Sequence, residues 1–148
     1  MVHALEEIRR LLCSDGTLID IHPVREEPRI EVEARDGIRF SETYPGYDYD
    51  EDLRQAEDAL DQVVARGLFV SERSCEFDSR TYASSCAELR DHLAEAGAYS
   101  EGPKDDVVLA RRSELYARAE EVMKAVGEPA EVVCHERARM TRLTPAHR

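Results

Sequence analysis

The sequence is poor in the residues that build the common catalytic motifs. It has only seven glycines in 148 residues and no G-x-G pair, and it contains no P-loop, no serine nucleophile elbow and no H-E-x-x-H sequence. These motifs supply phosphate-binding amides, an activated serine and a zinc site, respectively. The residues therefore give no support to a free-standing kinase or hydrolase.

Cysteine is also scarce, and its spacing indicates neither a disulfide framework nor a metal site. The four cysteines, at positions 13, 75, 86 and 134, form no C-x-x-C pair. A zinc site built around Cys134 and His135 is disfavoured, because adjacent residues on a strand point to opposite faces. Its further ligands would be Cys75, Cys86 or His22. We expect a cytoplasmic protein with reduced thiols and no bound metal.

Acidic residues outnumber basic ones. There are 32 Asp and Glu residues against 20 Lys and Arg, which gives a formal net charge of -12. Such a charge repels nucleic-acid phosphates and anionic membrane surfaces, so we expect neither as a partner. No segment approaches eighteen consecutive apolar residues, and the N-terminus lacks the apolar core of a signal peptide. The length and the 42% of hydrophobic residues predict a single globular domain over residues 1–148.

The hydrophobic pattern alternates between helical and strand periods and predicts an α/β fold. Helices are expected at residues 3–12, 53–66, 85–96 and 107–126, and strands at 17–21, 29–34, 38–40, 68–77 and 130–143. The middle pair of short strands forms a hairpin around Asp36-Gly37. Ser85 and Glu88 have the spacing of a capping box. Within the strand 68–77, Leu68, Val70 and Phe77 are expected to be buried.

One passage resembles a known family. From Ala4 to Leu18 the chain is similar to the A-L-x-E-I-x-R-x-L-x-x-G-G-x-L passage of class I S-adenosylmethionine-dependent methyltransferases, which joins the fourth helix to the fifth strand. The helix exit Gly67-Leu68-Phe69 and the order of the elements resemble the same family. By this resemblance the fifth strand, the next helix, the sixth strand and the seventh strand correspond to residues 17–22, 53–66, 68–77 and 130–143. In the family the seventh strand lies antiparallel between the fifth and the sixth.

The resemblance implies a partial Rossmann-like methyltransferase sheet, with strands resembling 5, 7 and 6, a small hairpin and flanking helices. Residues 23–49 would then be a hairpin and loop insertion, and residues 81–127 a helical insertion between the last two strands. The family holds its cofactor on a glycine-rich turn and an acidic residue, and no residue here matches either. S-adenosylmethionine is therefore expected only if a missing N-terminal half is supplied.

Three functions are compatible with these features. The first is a methyltransferase-like fragment or remnant without activity of its own. Its strand Thr17–Ile21, apolar on both sides like an interior strand, would have an unpaired edge, so we expect a homodimer through that edge or through the first helix. The second is the substrate-side subunit of a split methyltransferase, completed by a separate protein half. The third is an unrelated α+β protein-binding module, which a sheet order other than 5-7-6 would favour.

Asp20 and His22 are the candidate catalytic residues. They end the first strand, where α/β proteins place ligands, and they share one face of it because they are two residues apart. A histidine there has the chemistry of a general base. The alternative is that both side chains cap loops or bond to the backbone at the strand end, since one His and one Asp do not complete a catalytic constellation.

Three tyrosines in the loop after the hairpin, Tyr44, Tyr47 and Tyr49, are the candidate partner-contact residues. Tyrosine is enriched at protein interfaces, because its ring is apolar and its hydroxyl is polar. The alternative is ordinary packing of this loop over the hairpin.

Overall fold

The computed structural model describes residues 1–47, 50–97, 105–127 and 129–146, which form four helices and five strands. The helices are α1 (Val2–Leu11), α2 (Asp50–Ala65), α3 (Cys86–Gly97) and α4 (Asp106–Val126). The strands are β1 (Leu18–Pro23), β2 (Arg29–Ala34), β3 (Gly37–Thr43), β4 (Phe69–Ala83) and β5 (Ala130–Pro145). The predicted order of elements and the α/β class are thereby confirmed. The two long strands, β4 and β5, both extend beyond their predicted ends.

Strand β5 has the largest number of pairings in the sheet. It pairs antiparallel with β1, from Leu18↔Leu143 to Pro23↔Ala138, and with β2 over its first residues. Strands β2 and β3 form the predicted antiparallel hairpin, with an irregularity after Val32. Strand β4 also pairs with β5. The fold is therefore a mixed α/β fold around a five-stranded antiparallel sheet.

Contacts between β4 and β5 show how these two strands run. The Ala146 amide donates to the Leu68 carbonyl (3.1 Å), and Ser74 Oγ lies 3.0 Å from Thr141 Oγ1. Further along β4, the Glu76 carboxylate accepts from Arg139. Positions rise along β4 as they fall along β5, so β4 is antiparallel to β5. Strands β1 and β4 consequently run in the same direction.

The chain divides into two compact units. Unit 1 contains Met1–Arg25, Tyr49–Phe77 and Arg137–Arg148, and unit 2 contains Glu26–Asp48 and Asp78–Glu136. Helices α1 and α2 and strand β1 belong to unit 1, whereas the hairpin and helices α3 and α4 belong to unit 2. Strands β4 and β5 each contribute residues to both units.

Unit 1 has a core formed by the apolar faces of its two helices and of its strands. Its buried members are Leu5, Ala59, Leu60, Val63, Phe69 and Leu143. Arg9 of α1 fastens the helix by donating to the carbonyls of Leu68 and Ala146, both at 3.0 Å. These bonds satisfy two backbone acceptors at the ends of the long strands.

Unit 2 has its own core, in which α3 and α4 pack on one side of the hairpin and β5. The buried members are Ile30, Val32, Tyr44, Ala83, Cys86, Leu89, Leu115, Tyr116, Ala119, Val132 and Cys134. The predicted capping interaction at α3 is present, since Ser85 Oγ accepts from the Glu88 amide (3.2 Å). Glu88 in turn accepts from the Ser84 amide (2.9 Å). The first contact satisfies a donor that the first turn of the helix leaves unpaired, and the second ties Glu88 to the residue before the N-cap.

Two sequence predictions about burial are wrong. Phe69 is buried in β4 and Val70 is about half exposed, so the inward face of the strand is offset by one residue from the prediction. The expectation that the first strand is covered on both sides also fails, because Ile19 and Ile21 are about half exposed. In β4 the predicted alternation has the right period and the wrong phase, and Phe77 is also exposed (37%). In β1 the isoleucines were assigned by their apolar type, whereas the strand places them on its open face.

Among the described helices, none combines the length and the apolar character needed to cross a membrane.

Candidate functional site

Asp20 and His22, the two predicted candidates, form a hydrogen-bonded pair in unit 1. His22 Nδ1 lies 2.6 Å from Asp20 Oδ2. Because the carboxylate is an acceptor, Nδ1 carries the proton and Nε2 is left with its lone pair in the neutral imidazole. The His22 side chain is only 10% exposed and that of Asp20 is 25% exposed. This pairing fixes both the orientation and the tautomer of the histidine.

Two further side chains complete what we call the His22 cluster, namely Glu57 of α2 and Arg139 of β5. Arg139 is the sheet partner of His22, and its Nη1 donates to Glu57 Oε1 (2.9 Å). Glu57 Oε1 also lies 3.8 Å from His22 Nε2, too far for a hydrogen bond. His22 Nε2 is buried and has no hydrogen-bond partner within the described chain.

Arg139 holds a second carboxylate at the edge of the cluster. Its Nη2 donates to Glu76 Oε1 on β4 (2.9 Å). This hydrogen bond lowers the pKa of the Glu76 carboxyl below its usual value, and it raises the pKa of the Arg139 guanidinium. Both groups are thus held in their charged forms at neutral pH, so the cationic charge of Arg139 is shared between two carboxylates.

The His22 cluster lies at one end of a recess of about 370 Å³ in unit 1. This volume falls in the lower part of the range of small-molecule sites. The recess combines apolar, hydroxyl and charged side chains, from His22, Glu57, Leu60, Asp61, Val64, Ser71, Ser74, Arg139, Thr141 and Leu143. Three of these ten residues are apolar and seven are polar or charged, so the recess suits a small molecule that combines an apolar part with polar groups.

Unit 2 contains a second histidine flanked by carboxylates, the His135 cluster. His135 Nδ1 lies 3.4 Å from Glu31 Oε1, and His135 Nε2 lies 3.2 Å from Asp78 Oδ1. Ser41 Oγ donates to Glu31 Oε1 (3.0 Å). The Glu31 side chain is only 5% exposed. Its charge is therefore removed from water and depends on these neighbours for compensation.

The tyrosine cluster divides between packing and surface. Tyr44 is buried in the core of unit 2, where its ring lies 6.3 Å from that of Tyr116, edge to face. The Arg112 guanidinium lies 4.3 Å above the Tyr44 ring. Ordinary packing accounts for Tyr44, whereas Tyr47 is partly exposed and Tyr49 lies outside the described residues.

The cysteines are separated between the units. Cys13 and Cys75 of unit 1 are exposed, and Cys86 and Cys134 of unit 2 are buried. Burial raises the pKa of the Cys134 thiol to about 12, and it raises the pKa of Cys86 as well. In the parts of the chain that are described, no group of three or more potential ligands could hold a metal ion.

Sequence reasoning found Asp20 and His22 but missed Glu57 and Arg139. The pair is local, two residues apart on one strand, and could be inferred from strand alternation alone. Arg139 reaches His22 only through the register of β1 on β5, which no local pattern encodes. Glu57 precedes the buried Leu60 by one helical turn, and that spacing was the one available signal that it faces the sheet.

No protein-family model, curated protein or solved structure matches this chain.

Proposed function

We propose that this chain is a methyltransferase-like half-domain, similar to the C-terminal part of class I S-adenosylmethionine-dependent methyltransferases. The observation that carries the proposal is the pairing in unit 1, where β5 pairs with both β1 and β4. Strand β5 is antiparallel to both, and they run parallel to each other, as strands 5, 7 and 6 do in that family. This pairing favours the proposal over an unrelated α+β binding module.

The division into units gives a second argument for the same proposal. Unit 2 consists of residues 26–48 and 78–136. These ranges overlap the segments 23–49 and 81–127, which the resemblance treats as insertions. The elements left in unit 1 are α1, β1 and α2, together with parts of β4 and β5, and these are the elements to which the resemblance assigns family counterparts.

We further propose that the isolated chain does not transfer methyl groups. The sequence offers no G-x-G turn, so backbone amides for a nucleotide-like cofactor must come from another polypeptide segment. We expect S-adenosylmethionine to bind only when such a half is present. A cytoplasmic location remains part of the proposal.

Self-association belongs to the same proposal. Among the described strands, β1 pairs with β5 alone, so its other edge has free backbone donors and acceptors. Light scattering over a wide range of protein concentration tests this expectation. We expect a homodimer, and a stable monomer at the highest concentration would contradict it.

The Asp20–His22 pair favours a second candidate, the substrate-side subunit of a split methyltransferase. His22 lines a recess large enough for a small acceptor molecule, and an imidazole oriented by Asp20, with no hydrogen-bond partner on Nε2 among the described residues, can take the acceptor's proton. In this candidate His22 is the general base, and Asp20 is the positioning residue that fixes its tautomer.

An immunoblot of the source cells with an antibody against this chain tests the proposal and separates its two versions. A band near twice the mass of 16.8 kDa would correspond to about 250–300 residues, the size of a complete methyltransferase domain. A band at 16.8 kDa that co-purifies with a glycine-rich polypeptide supports the split enzyme. A band at 16.8 kDa without such a partner leaves the remnant and contradicts the split enzyme.

A further inference from the structure

Charge within the recess of unit 1 is not balanced. Of the lining charges, Glu57 accepts from Arg139, and beside the recess Asp20 is paired with His22 and Glu76 with both Arg139 and Arg137. Asp61 also lines the recess, and it forms no hydrogen bond or ion pair with any described residue. The recess therefore has an excess of negative charge, and a cationic group is the complement that electrostatics favours there.

An independent observation concerns the acceptor atoms at the inner end. The His22 side chain is nine-tenths buried, it lines the recess, and its Nε2 has no hydrogen-bond partner in the described residues. With the proton on Nδ1, Nε2 and Glu57 Oε1 are two acceptors that face each other at 3.8 Å. A buried acceptor without a donor is costly, so this end of the recess requires a donor.

One ammonium nitrogen satisfies both acceptors. Placed about 3 Å from each atom, it can donate one N–H to His22 Nε2 and another to Glu57 Oε1. A hydroxyl has a single proton and can satisfy only one of them, and a carboxylate offers no donor. The chemistry of the site thus distinguishes an amine from an alcohol or an acid of the same size.

We propose that the recess of unit 1 binds a small organic amine, with its ammonium group between His22, Glu57 and Asp61. The alkyl or aryl part of the ligand packs on Leu60, Val64 and Leu143. Hydroxyls at the side, from Ser71, Ser74 and Thr141, accept or donate to further polar groups of the ligand. The identification of this amine as the methyl acceptor rests on the proposed function, whereas its binding involves unit 1 alone.

The test is an NMR titration of the uniformly ¹⁵N-labelled full chain with n-pentylammonium at neutral pH, beside 1-pentanol and pentanoate as matched probes. We expect saturable shifts of amides in β1, α2 and the end of β5 with n-pentylammonium, and a dissociation constant of about 1–10 mM. The alcohol should bind at least about fivefold more weakly, and the acid should not bind. Equal binding of alcohol and amine, or no saturable shift with the amine, would overturn the proposal.

Two variants on the same helix separate local contact from the general attraction of an acidic protein. Asp61→Asn should weaken amine binding by about three- to fivefold, since an exposed charge contact is lost. Asp52→Asn removes the same charge from α2 outside the recess and should change binding by less than about 1.5-fold. Equal effects of the two variants would overturn the proposal.

A third variant examines the inner end of the recess. His22→Phe keeps a planar ring but removes Nε2, and it should weaken amine binding by about tenfold while leaving the amide spectrum folded. Should this variant unfold, the three probes on the unaltered chain still decide the matter. All of these measurements omit S-adenosylmethionine. Failure to bind amine therefore contradicts this inference alone, whereas S-adenosylmethionine binding by the isolated chain would contradict the proposed function alone.

Discussion

The two histidine clusters share one arrangement and differ in their surroundings. Each places an imidazole between two carboxylates, Asp20 and Glu57 in unit 1 and Glu31 and Asp78 in unit 2. In unit 1 the histidine lies at the end of an open recess, and its nearest carboxylate retains contact with water. In unit 2 the Glu31 carboxylate is almost completely buried, and the other partner, Asp78, is 62% exposed.

This difference shows that a histidine between two carboxylates can either stabilise the fold or be available to a ligand, depending on its surroundings. In the His135 cluster the buried side chain is the Glu31 carboxylate, whose charge is removed from water. The nearby imidazole therefore contributes to the stability of unit 2. Around His22 the buried member is the imidazole itself. Each histidine has one buried nitrogen without a hydrogen-bond partner among the described residues, Nε2 in His22 and Nδ1 in His135, and the His22 side chain lines a ligand-sized recess. Unit 1 therefore has a described recess beside its histidine.

The largest expected difference between the regions is in thiol reactivity. At pH 8, Cys13 and Cys75 of unit 1 should react with an aromatic disulfide reagent at the rate of free thiols. Cys86 and Cys134 of unit 2 should react at least about 100-fold more slowly, because they are buried and burial raises the pKa of both. The absorbance of the aromatic thiolate that the reagent releases gives the number of thiols that have reacted. Four fast thiols would show that the core of unit 2 is not closed.

The next effect is on stability in unit 2. His135→Leu leaves the buried carboxylate of Glu31 with Ser41 as its main partner, and we expect the free energy of unfolding to fall by about 2–3 kcal/mol. Urea denaturation followed by circular dichroism measures this change.

The double variant Glu31→Leu with His135→Leu is the matched control. It removes both members of the pair, so we expect it to recover most of the lost stability. A single variant as stable as the unaltered chain would show that His135 does not compensate Glu31.

A smaller stability effect is expected in unit 1. His22→Leu leaves Asp20 able to reach water, because its side chain is a quarter exposed, and the loss should be about 1 kcal/mol. The same urea denaturation applies. A loss equal to that of His135→Leu would contradict the distinction between a stabilising histidine and one kept for a ligand.

The smallest expected effect is on the stability of the chain at low pH. The hydrogen bond from Arg139 holds the pKa of Glu76 below its usual value of 4.5 in the folded chain. A lowered folded-state pKa contributes stability that is present above pH 4.5 and is lost as the pH falls through the folded-state value. Glu76→Gln should therefore reduce the difference in melting temperature between pH 6 and pH 3.5. An unchanged difference would show that this ion pair does not persist in solution.

Local patterns predicted the elements of the fold well. The helical stripe of α2 and the capping residues of α3 involve side chains one turn apart, and the Asp20–His22 pair involves neighbours on one strand face. Such contacts are determined by the geometry of a single helix or strand. They can therefore be inferred before the tertiary structure is known.

Contacts between distant segments could not be predicted in this way. Arg139 faces His22, and His135 faces Glu31, only because β5 takes particular registers on β1 and β2. The error at Phe69 and Val70 has the same origin, because a shift of one residue exchanges the two faces of a strand. Both histidine clusters depend on these registers, and for that reason most of their members were missed.

The most direct test compares S-adenosylmethionine binding by two preparations. One is the 148-residue chain alone, and the other is the native protein captured from its source cells with an antibody against this chain. Equilibrium dialysis with methyl-labelled cofactor measures both. Our account predicts that the chain alone does not bind the cofactor. Binding by the native preparation would then assign the cofactor site to another polypeptide segment, and binding by neither preparation would leave the remnant. Binding by the chain alone would contradict the account.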